Sequence, residues 1–276
     1  MGTTTKISWA NATVNFWHGC IKVSEGCKYC YMYRDKEMHK QDPLKIVKRD
    51  FNVIRRELNK AIKDGVLFPG ARVFTCSWSD FWLAEADEWR AEAIELIREY
   101  SQFNWLVLTK RPERMNLKLP DNVWLGVSVE NCKNTERIDI LKKYAKEYDF
   151  KGILFISAEP LIGSMNLIKQ LVTRVGDGEG FDTPYYRTDI HWVIIGGESG
   201  NDRGKYRYRE CFLHWIESLV MQCKQYEVPV FVKQSGTHIA KEYGYKDRHG
   251  GNMEEWPEWM KVREFPSGEM VKGEIV

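Results

Sequence analysis

The run Trp105-Leu106-Val107-Leu108-Thr109, which leads directly into Lys110 and Arg111, decides how most of this chain is organised. The run is short, apolar on both faces, and ends in polar side chains, which is typical of a strand buried between helices in a parallel sheet. Five further runs have the same character: Arg72–Cys76, Val123–Ser128, Ile153–Ser157, Trp192–Gly196 and Val230–Lys233.

Amphipathic segments separate these runs. Residues 89–100, 135–148 and 211–226 place apolar side chains at helical spacing, and residues 13–16 and 50–63 add a strand and a helix before the first run. Six strand–helix repeats predict an α/β fold, a partial parallel (β/α) barrel of about six to seven strands. We expect this barrel to span residues 1–240. Residues 241–276 would form a tail that packs on it, and Gly176–Asp189 an inserted loop.

Each run ends in a polar or ionisable cluster. In parallel α/β barrels the carboxyl ends of the strands meet at one edge, where the chemistry takes place. Any one cluster is equally typical of a helix cap or turn, and ion pairs among its members are an alternative to ligand binding. Taken together, they suit an amino acid-like ligand that carries a sugar. The clusters are Cys76–Asp80, Thr109–Arg111, Ser128–Glu130, Ser157–Pro160, Gly196–Gly200 and Lys233–Gln234.

Three cysteines lie close together near the N-terminus, in the C-x6-C-x2-C spacing of Cys20, Cys27 and Cys30. Thiolate is the soft ligand that both iron–sulfur clusters and zinc select. Three thiolates on one loop favour an iron–sulfur cluster with one iron left open. A zinc site would need a fourth ligand, for which His18 and His39 are the nearest candidates. Buried thiols without metal are the third interpretation.

The composition narrows the class of protein. The net charge of +2 does not indicate a nucleic-acid binder, although Lys and Arg exceed Asp and Glu between Tyr33 and Lys63, where a solvated helix face is one interpretation. No apolar run is long enough to span a membrane, so we expect no membrane partner. The seven cysteines are an odd number with three clustered, which favours a reducing cytoplasm over a disulfide framework.

Seven blocks of the sequence resemble a phage and prophage protein family of unknown function. That family is similar to the radical S-adenosylmethionine superfamily and, distantly, to spore photoproduct lyase. The usual superfamily spacing is C-x3-C-x2-C, so the six residues between Cys20 and Cys27 are a departure. The blocks are Asn15–Cys20, Gly26–Tyr31, Leu108–Pro112, Gly126–Glu130, Ala158–Leu161, Gly196–Gly200 and Phe231–Gln234.

The resemblance implies that Cys20, Cys27 and Cys30 hold a [4Fe–4S] cluster whose open iron chelates S-adenosylmethionine, with Tyr29 beside the adenine. It implies one-electron reduction of the sulfonium by a flavodoxin- or ferredoxin-type reductant. The products would be methionine and a 5′-deoxyadenosyl radical that takes a hydrogen atom from carbon. We predict that the cofactor pocket also uses Lys110, Arg111, Ser128, Glu130, Glu159 and Glu198.

Two further predictions concern the reaction. Cys76 ends a strand, so its thiol is a candidate hydrogen-atom donor, with a buried structural cysteine as the alternative.

The substrate is predicted to be a nucleic acid or modified nucleobase, on whose bases Trp78, Trp82 or Tyr31 would stack. The rival hypothesis is a zinc-stapled, non-catalytic binding protein of phage origin.

Overall fold

The structure, a computed structural model, describes residues 5–174 and 186–266. The strands are β1 (Ala12–Val14), β2 (Trp17–His18), β3 (Val47–Lys48), β4 (Arg72–Thr75), β5 (Asn104–Thr109), β6 (Val123–Ser128), β7 (Leu154–Leu161), β8 (Val172–Arg174), β9 (Tyr186–Thr188), β10 (Trp192–Gly197) and β11 (Val230–Gln234). The α-helices are α1 (Tyr31–Met38), α2 (Phe51–Lys63), α3 (Asp87–Glu99), α4 (Glu136–Glu147), α5 (Ile168–Leu171), α6 (Leu213–Gln225) and α7 (Thr237–Glu242).

Seven strands form one sheet in the order β1-β4-β5-β6-β7-β10-β11. The register is parallel for β1 with β4, β4 with β5, β5 with β6, β7 with β10, and β10 with β11. Helices connect most consecutive strands of this sheet, so the predicted parallel α/β class is confirmed, as are all six runs and the strand before them.

One predicted strand end is wrong. The sequence predicts a strand at Ile153–Ser157 that ends in the polar cluster Ser157–Pro160. Instead β7 continues to Leu161, which pairs with Gly197 of β10 after an irregularity in the register. Glu159 therefore lies within a strand and not on the loop that follows one.

The contacts of the chain group it into two compact units. Unit 1 comprises the residues up to Ser128 together with Lys143–Gly152, and unit 2 comprises Val129–Lys142 and the residues from Ile153 onward. The predicted boundary between barrel and tail near residue 240 stays a prediction. Much of the predicted inserted loop lies outside the described residues; near its end, β9 pairs antiparallel with β8. Among the helices of the described residues, none combines the length and apolarity of a membrane span.

The core of unit 1 is aromatic. Asp50 is the N-cap of helix α2, and its carboxylate accepts from Asn52 N at 2.8 Å. Phe51, in its first turn, stacks on Phe16 with ring centroids 5.7 Å apart, and Phe16 in turn stacks on Trp105 of β5 at 6.0 Å. Each ring buried in this way contributes about 1.5–3 kcal/mol, so this cluster fixes the segment before the cysteines against the sheet.

Unit 2 has its own aromatic core, which includes part of the C-terminal segment. Trp192 of β10 packs against Phe155 of β7 at 5.7 Å and against Phe265 at 5.3 Å. The backbone joins the same contact, since Val232 N donates to Val262 O at 2.9 Å. Within unit 2, the segment that ends at Phe265 therefore covers β10 and β11.

Candidate functional site

The three clustered cysteines lie on the loop between β2 and α1 in unit 1. All three thiols are free and partly buried, and Cys30 is the N-cap residue directly before α1. The sulfurs are close enough that Cys27 and Cys30 raise the pKa of Cys20, and Cys27 raises that of Cys30. The spacing in the sequence therefore brings the three sulfurs into one electrostatic neighbourhood.

This neighbourhood disfavours negative charge until a cation compensates it. Burial, followed by the charge of Asp80, raises the pKa of Cys20 to about 12. Burial also raises the pKa of Cys30, and together with the three sulfurs it raises that of Tyr33 to about 12. Cys20 is therefore a neutral thiol near pH 7, and binding a metal as thiolate requires release of its proton.

The segment that follows β4 holds the start of the cysteine loop. Gly19 N donates to Trp78 O at 3.0 Å, and Ser79 Oγ donates back to Gly19 O at 2.6 Å. Gly19 has φ +94°, and a Cβ there would lie 2.4 Å from Lys45 O, so only glycine fits. The Asn15 side chain accepts from Trp78 N at 2.8 Å. These contacts place Cys20 beside the carboxyl end of β4.

A buried ion pair links the next strand end to the same loop. Arg111 follows β5, and its guanidinium donates to Asp80 Oδ2 at 3.2 Å and to Ile21 O at 2.5 Å. The Cys20 sulfur lies 3.9 Å from Arg111 Nη1. Burial alone would lower the pKa of Arg111, but Asp80 and Cys20 raise it, so the guanidinium remains charged.

Asp80 is satisfied by three neutral donors besides Arg111. Its carboxylate accepts from Thr109 Oγ1 at 2.7 Å, from Lys110 N at 2.9 Å and from Trp82 N at 2.9 Å. Asp80 is thus the hub that ties the ends of β4 and β5 to the cysteine loop. The sequence placed Asp80 in a strand-end cluster but did not indicate this role, because its partners come from other segments.

The donor set fits an iron–sulfur cluster. Three soft thiols sit on one loop, and the cation of Arg111 is placed to balance the charge of the Cys20 thiolate. Lys110 acts in the same direction on Cys30, whose pKa it lowers. Across residues 5–174 and 186–266, no three His, Cys, Asp or Glu side chains are arranged to hold a single metal ion.

His18, the nearest candidate for a zinc ligand, has a different partner. Its Nδ1 lies 2.7 Å from Nζ of Lys36, a lysine only 2% exposed. Burial, followed by the charges of Lys36 and Arg49, lowers the pKa of His18. The burial of this lysine could not be predicted from the sequence, because the charged residues around it in the chain are typical of a solvated helix.

Cys76 follows β4 and is buried, with 3% of its surface exposed. Its backbone has φ +51°, a left-handed conformation that non-glycine residues seldom adopt. Burial raises the pKa of its thiol, although backbone N–H groups of Phe16 and Trp17 hydrogen-bond to the sulfur. The hydrogen-donor role stays a prediction.

The predicted carboxylates of unit 2 are each held by a cation of the same unit. Glu130 accepts from Arg137 at 2.9 Å and from Asn134 at 2.7 Å, and it is fully buried. Glu159 pairs with Lys233 of β11 at 2.9 Å. Ion pairing, the alternative interpretation of these strand ends, therefore describes Glu130 and Glu159 in this structure.

Glu198, directly after β10, is also paired. It accepts from Arg209 through the backbone N at 3.0 Å, through Nε at 2.8 Å and through Nη2 at 2.6 Å. The glycines before it are explained by close packing: a Cβ on Gly196 would lie 2.6 Å from Glu159 Oε1, and one on Gly197 would lie 2.1 Å from Ser235 O. The two glycines at the end of β10 are therefore required by packing within unit 2.

The remaining predicted residues lie at strand ends or on the cysteine loop. Tyr29 is partly buried with Lys28 Nζ 5.2 Å from its ring centroid, and Ser128 is buried at the end of β6. Tyr31 is 44% exposed and its hydroxyl donates to Ser77 O. The prediction that Trp82 stacks on a base is wrong, because its side chain is fully buried in the core of unit 1. The cofactor contacts stay predictions.

Comparison with solved structures shows which known proteins share the fold of this chain. A single-residue mutant of spore photoproduct lyase superposes with a TM-score of 0.54 at 15% identity, covering 85% of this chain and 79% of that one. Spore photoproduct lyase complexed with dinucleoside spore photoproduct gives 0.52 at 15% identity, covering 84% and 78%. This likeness confirms the predicted fold, the partial parallel (β/α) barrel of that lyase.

The sequence comparisons identify the family. No match is found among curated proteins. A family model described as a protein of unknown function, DUF5131, matches residues 4–275. The chain therefore belongs to the DUF5131 family of proteins of unknown function.

Proposed function

We propose that this protein is a radical S-adenosylmethionine enzyme in which Cys20, Cys27 and Cys30 hold a [4Fe–4S] cluster. The observation that carries the proposal is the placement of three free thiols in one electrostatic neighbourhood, on a loop held against a strand end. The likeness of the fold to spore photoproduct lyase supports it.

When bound, such a cluster supplies the electron that cleaves S-adenosylmethionine to methionine and a 5′-deoxyadenosyl radical, the species that abstracts hydrogen from carbon. The residues of this chain bind and position the reactants. Lys110, Ser128 and Tyr29 are proposed to contact the cofactor directly. Arg111 holds the loop through Ile21 O and offsets charge on Cys20. A flavodoxin- or ferredoxin-type protein would be the reductant.

Glu130, Glu159 and Glu198 stay proposed cofactor-binding residues, and within unit 2 each is held by an ion pair. A paired carboxylate holds its cationic partner in a fixed orientation, and the hydrogen bonds of Glu198 to Arg209 also fix the backbone after β10. A carboxylate can accept from a ribose hydroxyl while it keeps such a pair, because its two oxygens offer about four acceptor positions.

The substrate is proposed to be a nucleic acid or a modified nucleobase. Support comes from the neighbour whose solved structure contains dinucleoside spore photoproduct.

Anaerobic reconstitution tests the cluster. The parent chain should bind about four irons and turn brown, whereas Cys27→Ala should lose the visible absorption band. Cys132→Ala is the matched control, because Cys132 is an exposed free thiol outside the loop and its loss should change nothing. With dithionite, the loaded protein should convert S-adenosylmethionine into 5′-deoxyadenosine.

The competing function is a zinc-stapled binding protein without chemistry. It predicts one zinc per chain, a colourless protein and no 5′-deoxyadenosine. Stoichiometric zinc that survives reconstitution with iron and sulfide, and that is lost in Cys27→Ala, would establish the rival and exclude the radical mechanism.

A further inference from the structure

Part of the basic stretch that the sequence singled out is neutralised in the fold. Between Tyr33 and Lys63, the cations around α2 pair with carboxylates of the same unit. Lys48 meets Glu92 at 2.7 Å, and Arg55 meets Glu99 at 2.7 Å. Two further pairs follow the same pattern, Arg49 with Glu57 and Lys60 with Asp64. The charge of these four cations is therefore balanced within unit 1.

A different loop carries exposed cations between tyrosines. Residues 201–209 read Asn-Asp-Arg-Gly-Lys-Tyr-Arg-Tyr-Arg, and Arg203, Lys205 and Arg207 are all exposed. The loop is closed by a backbone hydrogen bond, in which Asn201 N donates to Tyr206 O at 3.1 Å. A Cβ on the preceding Gly200 would lie 2.3 Å from Arg207 O, so the two ends of the loop are in close contact.

The base of this loop is anchored at the carboxyl end of β10. Arg209 is bound by Glu198, and Gly200 N donates to Thr237 Oγ1 at 3.2 Å. The three exposed cations are thus displayed from a fixed base, next to the strand ends of unit 2. Displaying them in this way lowers the ordering cost of binding.

A second basic, tyrosine-bearing segment is attached to the first. Lys241, at the end of α7, contacts Asp202, and Tyr208 OH donates to the same carboxylate at 2.9 Å. Beyond Lys241, Tyr243 is 54% exposed and lies 6.2 Å from the ring of Tyr245. We call residues 201–209 and 241–248 together the basic tyrosine surface.

The charge of this surface is strongly unbalanced. The two segments hold seven Lys and Arg against three Asp and Glu, whereas the whole chain carries only +2. Two of the nearby carboxylates are engaged, Asp202 by Lys241 and Glu198 by Arg209. The charges of Arg203 and Arg207 therefore remain to attract an anionic ligand.

We propose that the basic tyrosine surface binds a single-stranded nucleic acid, with Arg203, Lys205 and Arg207 on its phosphates and Tyr243 stacked on a base. Cations that follow a backbone and aromatic rings that stack on bases are the two components of sequence-tolerant single-strand binding. The inference rests on the nucleic-acid substrate of the proposed function and is independent of its radical chemistry.

Fluorescence anisotropy with labelled single-stranded DNA and RNA of about 15 nucleotides tests the proposal on the full chain. Each neutralised phosphate contributes about 0.7 to the slope of log K against log salt. Losing three contacts in Arg203→Gln/Lys205→Gln/Arg207→Gln should lower that slope by about 2, so binding at 0.1 M salt weakens about 100-fold. The DNA and RNA arms show which sugar is preferred.

The matched control removes the same charge from α2, where Arg56, Lys60 and Lys63 are exposed. Their triple glutamine variant should change affinity less than about threefold, since screened charges elsewhere act weakly. Tyr243→Ala should weaken oligonucleotide binding about fivefold or more with an unchanged salt slope. Its affinity for heparin, a polyanion without bases, should not change.

Three results would overturn the proposal: no binding by the parent chain at low salt, equal losses in the two triple variants, or equal effects of Tyr243→Ala on heparin and oligonucleotide. The last would identify a general polyanion site instead. If the protein makes no 5′-deoxyadenosine but shows the expected binding pattern, the proposed radical reaction is refuted and the proposed nucleic-acid surface stands.

Discussion

Asp80→Ala removes the carboxylate that joins two strand ends to the cysteine loop. In the parent, the Asp80 and Arg111 side chains are 6% and 7% exposed, so their ion pair is buried. Without Asp80, Arg111 keeps a hydrogen bond to Ile21 O. A buried guanidinium then lacks a compensating carboxylate, and three neutral donors lose their acceptor.

The expected cost follows from the burial. Removing one partner of a buried pair costs about 3–5 kcal/mol, because the other charge stays desolvated. Arg111→Met should cost less than Asp80→Ala, since Asp80 would keep its three neutral donors. The double variant should cost less than the sum of the two, with a coupling of about 1–3 kcal/mol.

Urea unfolding followed by tryptophan fluorescence measures these differences. Glu95→Ala is the control: Glu95 pairs with Arg98 on the exposed face of α3, with 65% of its side chain exposed, and its loss should cost less than about 1 kcal/mol. If Asp80→Ala costs no more than Glu95→Ala, or if the Asp80 and Arg111 effects simply add, the assignment of Asp80 as the hub of the loop is refuted.

Three further outcomes are expected. Cys76 in the folded protein should resist iodoacetamide near pH 8 while exposed Cys132 reacts, because burial raises the pKa of the Cys76 thiol; mass spectrometry that finds equal labelling would contradict this. Although burial opposes it, three backbone N–H groups hold the pKa of Asp247 below its ordinary 3.8. Its stabilisation is therefore present above about pH 4 and lost as the pH falls further, and Asp247→Asn should flatten the acid side of the urea midpoint against pH. Gly197→Ala should cost about 3 kcal/mol, because a Cβ would lie 2.1 Å from a backbone oxygen; Gly65→Ala, with open space around it and φ +72°, should cost about 1 kcal/mol, and a reversed order in thermal melts would refute the packing argument.

Local patterns in the sequence determined the parallel α/β class and the positions of its elements. Runs that are apolar on both faces indicate buried strands, and helical periodicity indicates helices with one buried face. Both patterns depend only on residues that are neighbours in the chain. The helices α2, α3, α4 and α6 begin and end within about two residues of their predicted bounds. The clustering of three cysteines is equally local, since a short loop cannot separate them far.

The tertiary structure decided which charged groups meet. Asp80 and Arg111 are 31 residues apart, Glu159 and Lys233 are 74 apart, and Lys36 reaches His18 across 18. The intervening sequence does not predict these pairs, because each pair depends on how strand ends and loops align in space. The same alignment buried Trp82 and paired Lys48 and Arg55 with carboxylates of α3.

The tertiary structure also brings the loop that carries Arg203, Lys205 and Arg207 to the α7 segment. Lys241 of α7 contacts Asp202 of that loop, 39 residues away in the chain. Taken alone, the composition of residues 201–209 or of residues 241–248 is typical of a solvated loop. Sequence periodicity reports the environment of single residues, whereas the charge of a surface is a sum over residues that only the fold brings together.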